Sequence, residues 1–119
     1  ARPLLVYDGG PQSDEAMYVA TYMADRWQLP LVVLSIESSA VEPENQEKAR
    51  SYLERHSVQA KYLVEEALDW AIIFEKASEH ACDFLIMGTF DRNPVIGAVT
   101  GSAILDFLDE TTLPILVCR

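Results

Sequence analysis

The sequence predicts an α/β fold, with a five-stranded parallel sheet and helices on both of its faces. Short apolar runs, typical of strands, alternate five times with amphipathic stretches typical of helices, and the connections are short. The run Leu31–Ile36 is apolar almost throughout, as expected of a strand that helices cover on both sides. Because right-handed crossovers place helices on both faces of such a sheet, we expect a doubly wound, Rossmann-like domain.

The first strand, turn and helix are predicted between residues 4 and 30. The apolar run Leu4–Tyr7 is followed by Asp8–Pro11, whose residue types favour a turn. Ser13 is placed to cap the helix that follows, and Pro30 ends it. Apolar residues at helical spacing predict its buried stripe: Ala16, Val19, Ala20, Met23 and Trp27.

The remaining elements continue the alternation. Pro43 and Glu44 open a more polar second helix, and residues 60–64 are predicted to form the third strand. The last three elements are a strand at 84–87, a helix at about 102–110 and a strand at 114–117. Helical spacing predicts the inner faces of the second and third helices: Ala49, Tyr52, Leu53 and His56 in one, Trp70, Ile73, Phe74, Ala77 and Ala81 in the other.

The charge balance excludes several classes of partner. The 119-residue chain carries 19 Asp and Glu residues against 9 Lys and Arg, a formal net charge of -10. A surface of this sign repels nucleic acid and anionic lipid, and no run reaches the roughly 18 apolar residues of a membrane span. Cys82 and Cys118 lack metal-ligand spacing, so we expect free thiols. The sequence therefore predicts one cytoplasmic domain over residues 1–119, with neither nucleic-acid nor membrane partners.

Glycine and acidic residues follow the predicted strands at one edge of the sheet. Asp8 follows the first strand, Glu37 follows the second, and Gly88 follows the fourth. Ligands of parallel α/β sheets bind at the carboxyl ends of the strands, near the switch in strand order. Gly101 and Ser102 come next in the same loop, where a helix N-terminus and its backbone N–H groups favour phosphate. We therefore expect a ligand at this edge.

The loop after the fourth strand resembles the universal stress protein family. The ATP-binding members of that family carry G-x2-G-x9-G-[S/T], and Gly88, Gly101 and Ser102 match this motif without gaps. The closing strand of the family, P-[IV]-L-V, is similar to Pro114–Val117, and the resemblance covers nearly the whole chain. It implies the strand order 3-2-1-4-5 of adenine nucleotide alpha hydrolase-like folds and a regulatory role in stress response.

The resemblance also implies a nucleotide site. In the family, the Asp after the first strand and the apolar residue that ends the second strand contact adenosine, and these positions are Asp8 and Ile36. The implied ligand is ATP or AMP, with Mg²⁺. The implied nucleotide-binding residues are Asp8, Gly9, Ile36, Gly88, Asp91, Arg92, Gly101 and Ser102.

The second glycine of the motif is replaced by Asp91 in this chain. A carboxylate about 6 Å from a phosphate charge, at an effective dielectric of about 20, costs on the order of 3 kcal/mol, or about 100-fold in affinity. Arg92 or a bridging Mg²⁺ offsets part of this repulsion. We therefore expect a degenerate site that binds ATP no tighter than about tens of micromolar.

Other interpretations of these residues stay open. Asp8 also suits a turn that accepts backbone N–H bonds, and Gly88 and Gly101 suit a strand exit and a helix start. Asp8–Ser13 partly matches the S-G-G-x-D-S loop of ATP pyrophosphatases, so an adenylating enzyme fragment is one alternative function. A sensor domain appended to a transporter or kinase is another. Because no general base stands near the Gly88 loop, we expect no catalytic residues and no hydrolytic turnover.

The last predicted strand is an expected association surface. In the universal stress protein family this strand often lies at an edge of the sheet and pairs with its symmetry mate, which implies a homodimer or a pseudo-dimer with a sister domain. The chain begins with Ala, so we expect a processed terminus, one half of a tandem pair or a piece of a longer chain. The expected interface residues are Leu113, Ile115, Leu116 and Val117.

Overall fold

The computed structural model describes residues 2–39, 41–67, 69–88 and 114–118. Within these ranges strands and helices alternate in the predicted order, while the helix predicted at about 102–110 lies outside them. The elements are β1 Pro3–Tyr7, α1 Pro11–Trp27, β2 Leu31–Ile36, α2 Glu44–Arg55, β3 Ala60–Glu65, α3 Trp70–Glu79, β4 Phe84–Gly88 and β5 Ile115–Cys118.

The five strands form one parallel sheet in the order β3-β2-β1-β4-β5, which confirms the predicted fold class. The central strand β1 is buried at every position, and Val6 aligns with Leu34 of β2 and with Met87 of β4. The order reverses between β1 and β4, because β2 and β3 lie on one side of them and β5 on the other. In doubly wound parallel sheets, ligands commonly bind at the carboxyl ends of the strands beside such a switch point.

Helices cover both faces of the sheet. Alternate side chains of β1 enter different cores, since successive residues of a strand point to opposite faces. Leu4 and Val6 pack with Ile73 and Ala77 of α3. Leu5 and Tyr7 lie on the other face, in a core to which α1 and α2 contribute. This second core also contains Ala16, Met17, Ala20, Ala24, Ala49 and Leu53.

Helix α1 begins earlier than the sequence predicts, and its buried face is shifted from the predicted stripe. Its N-cap is Gly10 with Pro11 in the first turn, so the prediction that Ser13 caps this helix is wrong. Ala16 and Ala20 are buried as predicted, but Trp27 is 56% exposed. The buried residues are mostly small and lie at helical spacing: Ser13, Ala16, Met17, Ala20, Thr21 and Ala24. Small side chains let the helix approach the sheet closely, which rotates its larger apolar residues towards solvent.

The inner faces of α2 and α3 are confirmed at their centres. Ala49 and Leu53 are buried in α2, and Ile73 and Ala77 are buried in α3. The predicted outer ends of both stripes are wrong, since His56 and Ala81 follow the ends of the helices and are exposed. None of the three described helices is long and apolar enough to cross a membrane. Cys82 and Cys118 are free thiols.

Candidate functional site

The turn after β1 is closed by hydrogen bonds from Asp8 and Ser13. Asp8 Oδ1 accepts from the Gly10 N–H at 2.9 Å, and the Asp8 N–H donates to Ser13 Oγ at 2.9 Å. Gly9 has a φ of 84°, a left-handed conformation that glycine adopts without strain. Asp8 is therefore a turn residue, as one interpretation of the sequence proposed. Among the described residues, its other carboxylate oxygen has no hydrogen-bond donor.

The end of β4 lies against the first turn of α1. Gly88 is buried, and a Cβ added to it would lie 2.4 Å from the Gln12 carbonyl carbon and 2.6 Å from Ser13 N. Only glycine allows two backbone segments to approach this closely. The N-cap of α1 is Gly10, so the cap position itself offers no side chain to the first-turn N–H groups. The switch point therefore brings together a strand end and a helix N-terminus, which carries partial positive charge.

Glu37, the first residue after β2, holds the N-terminus of α2. It is only 3% exposed, and its two carboxylate oxygens accept from Asn45 N–H at 2.9 Å and Gln46 N–H at 2.7 Å. The N-cap of α2 is Pro43, whose side chain cannot accept these bonds. A carboxylate at a helix N-terminus is favourable because the N–H groups there are unpaired and the helix dipole attracts negative charge. Glu37 thus acts as a remote cap that fixes α2 at the carboxyl edge.

The Asn45 side chain connects the ends of β1 and β2. Its Nδ2 donates to the carbonyl of Asp8 at 3.0 Å and to the carbonyl of Ile36 at 2.7 Å. The amide also lies directly over Gly9, where an added Cβ would be 2.4 Å from Asn45 Oδ1. The loops after β1 and β2 are therefore tied to the first turn of α2 by one side chain.

A buried tyrosine and an ion pair lie behind the first turn of α1. The Tyr7 hydroxyl donates to Asp14 Oδ1 at 2.6 Å, and Lys48 Nζ lies 3.1 Å from the same carboxylate. Burial of Tyr7, and secondly its hydrogen bond to Asp14, raise the pKa of the phenol far above its usual value. Tyr7 therefore remains a protonated donor at every physiological pH. The Lys48 side chain is 52% exposed, so its pairing with Asp14 adds little stability.

The carboxyl edge carries more negative than positive charge in the part of the chain that the structure describes. Lys48 pairs with Asp14, and Lys76 lies 3.9 Å from Glu65 at the end of β3. These two cations are thus already paired with carboxylates, and no group of three acidic, His or Cys side chains in the described ranges is placed to hold a metal ion. The carboxylates at or beside the edge include Asp8, Asp14, Glu37 and Glu65. This field disfavours ligands of high negative charge.

Solved structures identify the fold. The chain superposes on a universal stress protein in complex with cAMP with a TM-score of 0.74, at 15% identity over 99% of this chain and 96% of that chain. A universal stress protein from Archaeoglobus fulgidus in complex with dAMP gives 0.68, at 14% identity over 100% and 98%. A further one from Archaeoglobus fulgidus gives 0.78, at 17% identity over 99% of this chain and 43% of that chain. This chain has the universal stress protein fold.

The other comparisons found no similar protein. No protein-family model matches the chain, and no curated protein sequence matches it. At 14–17% identity, the structural likeness establishes the arrangement of strands and helices. What the chain binds must be argued from its own residues.

Only some of the predicted nucleotide-binding residues lie within the described ranges. Asp8, Gly9 and Gly88 come together at the carboxyl edge, with Ile36 at the end of the neighbouring strand. The other predicted residues lie outside the described residues: Asp91, Arg92, Gly101 and Ser102. Sequence reasoning missed the roles of Glu37 and Asn45. An acidic residue directly after a buried strand was the only local signal for Glu37, and Asn45 had none.

A cavity in the described part of the chain lies at the opposite edge of the universal stress protein fold. Its volume is about 960 Å³, and it is found at the amino ends of the strands, away from Asp8 and Gly88. Its lining is mixed in charge, and it includes Arg2, Lys61 and His80. The carboxyl edge remains the candidate ligand site despite the size of this cavity, because the strand order and the helix N-terminus favour a ligand there.

Proposed function

We propose that this chain is a universal stress protein-like regulatory domain whose carboxyl edge is a weak adenine-nucleotide site. The observation that carries the proposal is the contact of Gly88 with the first turn of α1, whose N-cap is a glycine, at the strand-order switch. The solved complexes of the same fold with cAMP and dAMP support an adenine ligand. Asp8, Gly9 and Ile36 lie at the same edge, as the family resemblance implied.

The charge of the edge favours ligands with few phosphates. The described carboxylates already exceed the unpaired cations there, and the sequence places a further carboxylate, Asp91, three residues after Gly88. Repulsion grows with each phosphate charge of the ligand, so we expect adenosine and AMP to bind more tightly than ATP. A bridging Mg²⁺ would lessen this difference, which is why each titration is made with and without it.

Titration calorimetry with ATP, AMP and adenosine tests the site. We expect ATP to bind with a Kd of about 100 µM, and Asp91→Gly to strengthen ATP binding at least about tenfold, with the larger gain at low salt. Adenosine affinity should hardly change in this variant. Asp25→Asn is the matched control, because it removes one exposed negative charge at the far end of α1. Submicromolar ATP binding by the natural chain, or no gain in Asp91→Gly, would contradict the proposal.

We also propose that the domain has no hydrolytic activity. Both histidines of the chain, His56 and His80, follow the ends of α2 and α3 and lie at the amino edge. Within the described ranges, the carboxyl edge therefore offers no imidazole to act as a general base. ATP kept with the protein during the titrations should disappear no faster than in a heat-treated sample, and faster loss that Asp8→Ala abolishes would identify an enzyme.

We further propose that β5 mediates a homodimer, or a pseudo-dimer with a sister domain. β5 is an edge strand, and its Val117 side chain is 47% exposed. Leu116 packs against the core beneath α1 and Ile115 against the opposite core. A substitution at either residue would therefore disturb core packing as well as the interface. Leu113 lies outside the described residues. An apolar edge strand with an exposed side chain favours pairing with a second edge.

Val117→Lys is expected to convert a homodimer to a monomer while the domain stays folded. A lysine on an edge strand places like charges against each other across a two-fold axis, and the exposed side chain carries little of the core. Sedimentation velocity on the natural chain and the variant measures the change. Val41→Lys is the control, because Val41 is 90% exposed in the loop before α2. A natural chain that remains monomeric at high micromolar concentration, or a variant that still dimerises, would contradict pairing through β5.

A further inference from the structure

Asn45 satisfies two strand-end carbonyls at the candidate site. Its Nδ2 donates to Asp8 O and to Ile36 O, so both of its amide hydrogens are used. These carbonyls lie at the ends of β1 and β2, where the parallel ladder no longer supplies a donor, and such groups need a partner from elsewhere. The Asn45 side chain therefore occupies the position that a hydrogen-bond donor of a bound ligand would occupy.

The position of these carbonyls relative to Gly88 defines which part of a nucleotide would meet them. β4 and β2 lie on either side of β1, so two strand spacings, each of about 4.8 Å, separate their ends. With its phosphate at Gly88 and the N-terminus of α1, as proposed above, a nucleotide that extends across β1 would reach the end of β2. Its base then reaches the carbonyls of Asp8 and Ile36. The exocyclic amine of adenine offers two N–H donors on one planar nitrogen, as the Asn45 amide does.

We propose that the Asn45 amide is an internal occupant of the base position, which an adenine ligand must displace. This inference rests on the proposed adenine-nucleotide site. The backbone of Asn45 is held by buried Glu37 through its N–H, so displacement is a rotation of the side chain while α2 stays in place. Gly9 lies directly under the amide and provides the room in which it sits. Asn45 thus lowers the affinity of the free protein for adenine, in addition to the charge effect on phosphates.

Asn45→Ala is expected to strengthen adenosine binding by about tenfold, because two hydrogen bonds no longer have to be broken before the base enters. Inosine should gain far less, since its base has a carbonyl where adenine has the amine. Asn45→Asp is the second variant, because a carboxylate cannot donate to the two carbonyls and leaves the position open. Gln46→Ala is the matched control, as the neighbouring residue contributes only its backbone N–H to Glu37. Far-UV circular dichroism establishes that each variant is folded.

Nuclear magnetic resonance of the natural chain separates this inference from the proposed function. On addition of AMP, the side-chain amide resonances of Asn45 should move to solvent-exposed values, and their hydrogen exchange should accelerate. If AMP binds and these resonances do not change, or if Asn45→Ala binds adenosine no tighter than the natural chain, the displacement is wrong and the nucleotide site stands. If neither the natural chain nor either variant binds adenosine or AMP at millimolar concentration, both proposals fail.

Discussion

Gly88→Ala is expected to lower the free energy of unfolding by about 3 kcal/mol or more. The added Cβ would lie 2.4 Å from the Gln12 carbonyl carbon, 2.6 Å from the Gln12 oxygen and 2.6 Å from Ser13 N. These atoms belong to the backbone at the start of α1, so a side-chain rotation cannot relieve the overlap. The helix or the central strands must move instead, and β4 is hydrogen-bonded to both β1 and β5. This movement also opens the junction at which we place the phosphate.

Thermal and urea unfolding measure the effect of Gly88→Ala. A loss of about 3 kcal/mol corresponds to a fall of roughly 10 °C in Tm for a domain of this size. Gly10→Ala is the matched control, since the nearest atom to its added Cβ is Asp8 Oδ1 at 3.2 Å and its φ of -78° suits alanine. The control should lose less than about 1 kcal/mol. Equal stability of the two variants would show that Gly88 does not press against α1.

Glu37→Ala is expected to destabilise the domain by about 3 kcal/mol, because the N–H groups of Asn45 and Gln46 lose a charged acceptor. Glu37 is 3% exposed, so water reaches the position poorly, and a cavity replaces the carboxylate. The first turn of α2 then loses its only described side-chain cap. The Asn45 amide is positioned by this turn, so its bonds to Asp8 and Ile36 should weaken as well.

Urea unfolding of three variants resolves the contribution of Glu37. Glu37→Gln keeps one carbonyl acceptor and should lose about half as much free energy as Glu37→Ala. Glu42→Gln removes an exposed carboxylate from the same loop and is expected to change stability by less than about 0.5 kcal/mol. If Glu37→Ala is as stable as Glu42→Gln, the N-terminus of α2 does not depend on the buried carboxylate.

The sequence analysis predicted the strands and their order correctly. The run at Leu4–Tyr7 is apolar at every position and the run at Leu31–Ile36 almost throughout, as is typical of strands covered on both faces. Topology rules and the family resemblance then left the order 3-2-1-4-5, which the sheet has. The positions of Asp8 and Gly88 at the carboxyl edge follow directly from that order. Local composition therefore located one edge of the molecule where a ligand is favoured.

The orientation of α1 depends on how the helix packs on the sheet, which the spacing of apolar residues in the sequence does not reveal. Two apolar stripes are possible on this helix, and hydrophobicity favours the one that ends in Trp27. The face that packs on the sheet shares Ala16 and Ala20 with that stripe but is turned towards Ser13 and Thr21, because small side chains permit close contact between helix and strands. Thr21 satisfies its hydroxyl by donating to the Met17 carbonyl at 2.7 Å, so a polar residue is tolerated there.

The chain itself determines the parallel sheet, its acidic charge and the residues that follow each strand. These depend on neighbours within a few positions, where apolar runs, turn residues and helical spacing act. The tertiary structure alone decides how the carboxyl edge is held together. The bond from Asn45 to the carbonyl of Asp8 spans 37 residues, and the Glu37 carboxylate reaches α2 across a loop. Such contacts form only after the strands align, so no local pattern in the sequence specifies them.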